Sequence, residues 1–372
     1  MKAFKGFNKD LTCIGFKYKV GETYEEEKAE LCKAGFHACE SPVDCLQHYY
    51  PANSVYHEVE LEDVSNEKDT DTKRVGKKIT IGAEIGIPEI CSLTFEYVKE
   101  NCTNENNKDE GKPAKAGKYG AATAGNRGEA TAGEYGAATA GNRGAATAGY
   151  AGAATAGHAG AATAGECGAA TAGNRGAATA GNRGAATAGE CGAATAGGYG
   201  AATAGGYGAA TAGYYGAATA GSSGAATAGE YGAATAGECG AATAGGHGAA
   251  TAGEYGVATA GYRGAATAGS SGAATAGECG AATAGEYGEA TAGSFGVATA
   301  RGKSATGKNG LSVARGNDVR VKGGLGTVLV IAEENKDDYS VKEFATAMVD
   351  GRDIKADTWY KLENGKLVEA DE

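Results

Sequence analysis

The sequence predicts a mainly β protein: a two-sided, flattened β-solenoid of eight-residue repeats at about 16 residues per turn, with a small α+β domain before it and a β-rich C-terminal cap after it. Three observations predict this fold. First, the unit Gly-Ala-Ala-Thr-Ala-Gly-x-x keeps strict phase: a Thr stands at every eighth position from Thr123 to Thr299, giving 23 units without an insertion. Second, each unit carries two glycines, and Gly costs a helix ~1 kcal/mol relative to Ala. An extended Ala-Ala-Thr-Ala followed by a Gly-x-x-Gly turn fits instead. Third, position two of the unit varies, with Glu129, Glu289, Val257 and Val297 replacing Ala, whereas positions three and five are always Ala. A strand alternates its side chains, so positions two and four face water and the two invariant alanines face inward.

Volume decides the cross-section. Three units per turn would enclose a triangular space that two methyls per side cannot fill, whereas two units make a flat roll that Ala fills. At ~4.8 Å per rung, about 11 or 12 rungs span ~55 Å. The cysteines separate the two geometries. In the flat coil Cys167 and Cys191 lie on opposite edges, and Cys191 and Cys239 stand ~14 Å apart, beyond disulfide reach. A triangular coil would stack Cys167 on Cys191. The ten cysteines, six before the repeat (Cys13, Cys32, Cys39, Cys45, Cys91, Cys102) and four within it (adding Cys279), read as thiols in a reducing compartment.

Composition narrows the function classes. The 372 residues include 66 Gly but four Pro, which excludes collagen and Pro-rich linkers. A net charge of −11 without a long basic run argues against nucleic-acid binding. The most apolar run, Val328–Ala332, is far too short to span a membrane. The start, Met1–Phe7, lacks the apolar stretch of a secretion signal, so the expected location is cytoplasmic.

In order along the chain, residues 1–98 read as the α+β domain, 99–119 as a linker into the solenoid, 120–301 as the repeat and 302–372 as solenoid end and cap. Within the first, Lys2–Phe7 and Gly15–Val20 read as strands. Ser41-Pro42-Val43-Asp44 reads as a helix start with Ser as N-cap and Pro at the first turn, running through Cys45, Leu46 and Tyr49 to stop before Pro51. Ser54–Leu61 alternates as a half-buried strand. Asn66–Arg74 reads as a charged loop, and Lys78–Ile81 as a short strand ended by Gly82. Beyond Ala300 the repeat decays: Gly310–Ala314 is one further unit out of phase. Gly326–Ala332 and Tyr339–Val349 are strands joined by an acidic turn, Glu333–Asp338. Asn364-Gly365 turns a hairpin between Trp359–Leu362 and Leu367–Val368. Bulky residues here would cover the last Ala rung and its open strand edges.

Candidate sites follow from the outward positions. Tyr199, Tyr215, Tyr231, His247 and Arg263 share one column on one edge, either a ladder shielding the turns or an aromatic binding edge. Thr123, Thr131, Thr139, Thr147, Thr155 and Thr163 begin the Thr columns of the flat faces. Such regular Thr resembles the ice-binding solenoids, although those usually carry two parallel ranks where this unit supplies one, and Thr is also an ordinary strand residue. In the first domain Cys32, His37, Cys39, Cys45 and His48 lie close in sequence and raise the possibility of zinc, but no C-x-x-C knuckle exists. His37 and Cys39, two apart on a strand, stand side by side rather than as a nucleophile pair. Glu58 and Glu60 resemble the paired-glutamate strand of mono-ADP-ribosyltransferases, against the simpler reading of a solvated strand face. No residue is assigned as catalytic, cofactor-binding or metal-binding, and no cofactor is expected.

Met1–Phe7, Gly35-Phe36-His37-Ala38-Cys39-Glu40-Ser41-Pro42, Tyr56–Glu60 and the ending Asp357–Leu362 with Asn364-Gly365 resemble an uncharacterised domain and C-terminus in phage and prophage proteins of gut anaerobes, which place a Gly/Ala/Ser/Thr repeat between them. The resemblance implies a phage context, with possible virion association, and transfers no catalytic residue. The expected function is that of a non-enzymatic structural protein, a rigid rod serving as spacer or assembly module. Its expected partners are copies of itself, through the flat faces, or other proteins, with no membrane. The alternatives are binding of ice or another regular surface, and an enzymatic or ligand-binding activity confined to the N-terminal domain.

Overall fold

The computed structural model describes residues 1–66, 72–101 and 104–371. The chain divides into two units, residues 1–102 and 103–372.

In the second unit the repeat forms a β-solenoid of about 14 turns with about 16 residues per turn. Ala121, Ala122, Thr123 and Ala124 pair in parallel with Ala137, Ala138, Thr139 and Ala140, and Glu129–Ala132 pair with Ala145–Ala148. Every residue therefore sits above its equivalent 16 positions on, and the flat cross-section is the observed one. Positions three and five form one continuous Ala core, 0–4% exposed from Ala122 to Ala300.

The corners follow a different logic from the one the glycines suggest. Neither repeat glycine takes a left-handed conformation. That role falls on position eight, which is left-handed at every corner from Arg127 (φ 57°) through Tyr215 (φ 54°) to Phe295 (φ 57°). Position six accepts a turn-closing bond from the next Gly, as in Gly128 N–H to Gly125 C=O at 3.1 Å. The position-eight N–H donates to the position-seven carbonyl one turn later, Arg127 to Asn142 at 2.9 Å, so the ladder continues round the bend. The glycines are needed because adjoining rungs touch them. A Cβ on Gly200 would lie 2.8 Å from the Gly184 carbonyl oxygen and 2.8 Å from the Ala196 Cβ.

Two segments flanking the repeat also belong to the coil. Glu105–Asn107 and Ala114–Ala116, inside the stretch expected to be a linker, pair in parallel with Ala122–Ala124 and Ala130–Ala132 and form the first rung. At the other end the spacing falls to 14, with Ala290 opposite Ser304, because Arg301-Gly302 replaces a full corner. It then widens to 17, with Leu311 opposite Val328. The core changes with it: Ser304 and Ser312 bond each other at 2.9 Å, and Val321, Leu329, Ile331 and Tyr360 fill the space beyond. On one face Val328–Glu334 takes an antiparallel partner, Val341–Met348. On the other Arg320–Gly323 takes Tyr360–Glu363, which turns at left-handed Asn364 and Gly365 into Lys366–Glu369. Glu334, expected in the acidic turn Glu333–Asp338, instead ends its strand. Its side chain is fully buried between Arg301 (2.6 Å) and Arg315.

The first unit is built on β1 (Lys2–Asn8), β2 (Thr12–Cys13), β3 (Phe16–Lys17), β4 (Thr23–Glu25), β5 (Phe36–Cys39), α1 (Cys45–His48), β6 (Ser54–Val64), β7 (Lys73–Ile85) and α2 (Ile87–Asn101). The order β4-β7-β5-β1-β6, with β6 also on β7, closes four of the strands on themselves. Several expectations are corrected here. Gly15–Val20 contributes only Phe16–Lys17, since left-handed Ile14 and Gly15 turn a two-residue hairpin. Ser41 makes no side-chain cap, and Pro42–Asp44 forms a 3₁₀ turn ahead of α1. Asp44 instead accepts the Thr72 hydroxyl at 2.6 Å. Gly82 does not end a strand: β7 runs through it to Ile85, and the glycine admits the Glu58 carbonyl, which a Cβ would meet at 2.8 Å. Of the charged loop, residues 67–71 and also Cys102 lie outside the described residues, while Lys73 and Arg74 belong to β7.

Candidate functional site

Two regions carry chemistry. On the solenoid, Thr123, Thr139 and Thr155 form one register column, and Thr131, Thr147 and Thr163 form another on the opposite face. Thr123 and Thr131 are half-buried and the other four are exposed. Each face thus carries a single Thr rank flanked by exposed position-two Ala. The faces differ in charge. One has Ala at position two in eleven successive strands, Ala121 to Ala281, while the other has Glu129 near its start and Glu289 near its end.

Along one edge Tyr199, Tyr215, Tyr231 and His247 stack nearly parallel, with ring centroids 5.2, 4.9 and 4.9 Å apart. Arg263 follows in the column, its guanidinium 5.1 Å from the Tyr262 ring. Position-seven tyrosines meet this ladder edge-on, Tyr214 against Tyr215 at 4.5 Å and Tyr262 against His247 at 5.8 Å. Crowding, and then a hydrogen bond to Tyr215, push the Tyr214 phenol up to about 12. The position-seven rings and the second cluster of Tyr119, Tyr135 and Tyr150 were not among the residues expected from the sequence. Where position seven is Asn, its side chain caps the next rung: Asn126 Oδ1 accepts the Asn142 N–H at 3.0 Å. The four solenoid cysteines are exposed thiols.

The second region is a cavity of about 610 Å³ in the first unit, walled by β1, β5 and the β2–β3 hairpin. Phe16, Tyr18 and Tyr24 pack edge-to-face at 4.8–5.4 Å, and Phe36 meets Tyr18 at 6.4 Å. Lys5, 8% exposed and flanked in β1 by Ala3, Phe4, Gly6 and Phe7, donates from Nζ to the His37 carbonyl at 2.7 Å. His37 accepts the Cys32 N–H at Nε2 (2.8 Å). Burial, and then the Lys5 charge, hold it below the usual histidine range, which keeps it neutral. Burial pushes the Tyr18 phenol up to about 12, and it also raises Tyr49, whose hydroxyl donates to Cys13 Sγ at 2.9 Å. At the mouth stands Ile14, 98% exposed and left-handed at φ 49°.

All five residues of the zinc reading, Cys32, His37, Cys39, Cys45 and His48, line this cavity. Among the described residues they do not converge into a set that could hold a metal ion. Glu58 pairs with Lys2 at 2.8 Å, and Glu60 stands opposite Lys2 on the exposed side of β6. Sequence reasoning passed over Lys5, although a lysine set between Ala3, Phe4, Gly6 and Phe7 was a visible signal.

Residues 1–93 match a family described as a domain of unknown function (DUF7666). The match fits the expected N-terminal domain of unknown function and covers about a quarter of the chain, including every residue of the cavity. No curated protein and no solved structure matches the chain. No helix among the described residues is long and apolar enough to cross a membrane.

Proposed function

We propose that this is a non-enzymatic structural protein whose solenoid acts as a rigid assembly module, in a phage or prophage setting and with virion association. One observation supports the assembly reading above others: a flat, uncharged face of eleven strands in perfect register, Ala at position two and Thr at position four. About 11 rungs at ~4.8 Å by four residues at ~3.3 Å present roughly 700 Å² per partner, so a face-to-face dimer buries ~1,400 Å², within the ~1,200–2,000 Å² of stable interfaces. The opposite face is guarded, because two copies meeting there would bring Glu129 or Glu289 carboxylates together.

The test is sedimentation of the full chain over a range of concentrations. Dimers are expected, lost in Ala185→Glu/Ala201→Glu/Ala217→Glu and kept in Ala193→Glu/Ala209→Glu/Ala225→Glu on the guarded face. A monomer at every concentration refutes self-assembly and leaves the solenoid as a spacer. The in-register Thr columns favour a second reading, binding to ice or another regular surface. Thermal hysteresis by the full chain supports it, and its absence removes ice.

A further inference from the structure

We propose that the cavity of the N-terminal unit binds a small organic anion, a flat aromatic or apolar body bearing one carboxylate- or sulfonate-type group that pairs with the Lys5 ammonium. The cavity, at about 610 Å³, lies inside the range of roughly 300–1,000 Å³ typical of small-molecule sites. Its walls include five rings, Phe4, Phe16, Tyr18, Tyr24 and Phe36, which suit a flat apolar body.

The charge requirement comes from Lys5. It is more than nine-tenths buried, it lines the cavity, and it donates one N–H to the His37 carbonyl. An ammonium has three donors and prefers an anion when taken out of water. Among the described residues no carboxylate lies within ion-pair distance of it. Glu25, on the rim, is engaged by Lys78 at 3.1 Å, and Glu26 is exposed. Burial, and then the Lys5 charge, hold His37 below the usual histidine range beside it. At the mouth a β-branched residue is held left-handed, an unfavourable conformation that keeps the Ile14 side chain projecting beside Phe16.

The experiment titrates the full chain with the fluorescent sulfonate 1-anilinonaphthalene-8-sulfonate and with its uncharged analogue N-phenyl-1-naphthylamine. One sulfonate site per chain is expected. Lys5→Met keeps the apolar stem and should weaken the sulfonate about tenfold or more while changing the neutral probe less than about twofold. Phe16→Ala should weaken both. In the unsubstituted chain 1-naphthoate should displace the sulfonate and 1-naphthamide should not, a comparison that holds even if Lys5→Met fails to fold. Tyr215→Ala/Tyr231→Ala on the solenoid should leave binding intact. The proposal is overturned by equal displacement by acid and amide, by unchanged sulfonate affinity in a folded Lys5→Met, or by loss of binding in the solenoid variant.

Discussion

Two glycines only two residues apart should respond oppositely to the same substitution. A Cβ added at Gly198, at position seven of a corner, meets nothing closer than 3.6 Å. Gly198→Ala therefore only restricts the unfolded chain and should stabilise by ~0.4–1 kcal/mol. At Gly200, position one, the same Cβ falls 2.8 Å from the Gly184 oxygen and 3.0 Å from the Gly197 oxygen, both backbone atoms. The Gly184 oxygen also accepts the Ala201 N–H at 3.0 Å, so the rung cannot retreat without stretching a ladder bond. Overpacking costs ~1–3 kcal/mol and a weakened ladder bond ~0.5–1.5. After the unfolded-state gain is subtracted, Gly200→Ala should destabilise by roughly 0.5–4 kcal/mol. Because neighbouring rungs are coupled only locally, the readout is hydrogen exchange of the amides of residues 180–220, supported by thermal unfolding. Protection should fall around Gly200→Ala and hold or rise around Gly198→Ala. If both variants move in the same direction, the close-contact account of the glycines is wrong.

Other expectations follow from burial and charge. Ala202→Val, in the core, should cost ~1–3 kcal/mol, while Ala201→Val should stay within ~0.5, as Val257 and Val297 already occupy its position; chemical denaturation compares them. The Glu334 carboxyl feels burial, which raises it, but hydrogen bonds from Arg315 and Arg301 outweigh that and hold it below its usual value of 4.5. A folded-state value below the unfolded one gives stability that is present above about pH 4.5 and lost as the pH falls below it. Exchange protection of residues 311–349 should drop in that window, and Glu334→Gln should flatten the pH response at a cost of ~1–3 kcal/mol. Native thiol labelling read by mass spectrometry should modify Cys167, Cys191, Cys239 and Cys279 quickly and the buried Cys13 and Cys45 slowly; protection of Cys167 and Cys191 as a pair would contradict the flat coil.

The coil was legible because its evidence is periodic. Invariant Ala at positions three and five, with Glu tolerated at position two, defines inside and outside without any tertiary information. The purpose of the glycines was not legible, since a contact 16 residues away decides it and local turn chemistry suggests another cause. The first rung was hidden in polar sequence, although Ala114-Lys115-Ala116-Gly117 already keeps the phase of the repeat. Helix α2 had local signals that were passed over: Pro88 in the first turn, and Glu89 accepting the Gly86 N–H at 3.2 Å. The cavity was the least visible feature. Its walls come from Lys5, Phe16, Tyr24 and His37, which neither share a motif nor follow a period, and only the closure of β5, β1, β6 and β7 brings them together.

The pairing of each residue with the one 16 positions on also restricts how such a gene can change in length. Duplication or loss of a single octapeptide would carry everything downstream half-way round the coil. The Arg320–Gly323 and Val328–Glu334 strands would then lie on exchanged sides relative to the first rung, although their own partners travel with them, and the edge carrying Tyr199 would continue into the opposite column. Two octapeptides gained or lost together lengthen or shorten the coil by one rung and keep both ends on their original sides. Length changes that preserve the sides of both ends therefore come in multiples of 16 residues, a parity written into the fold and invisible in any one unit.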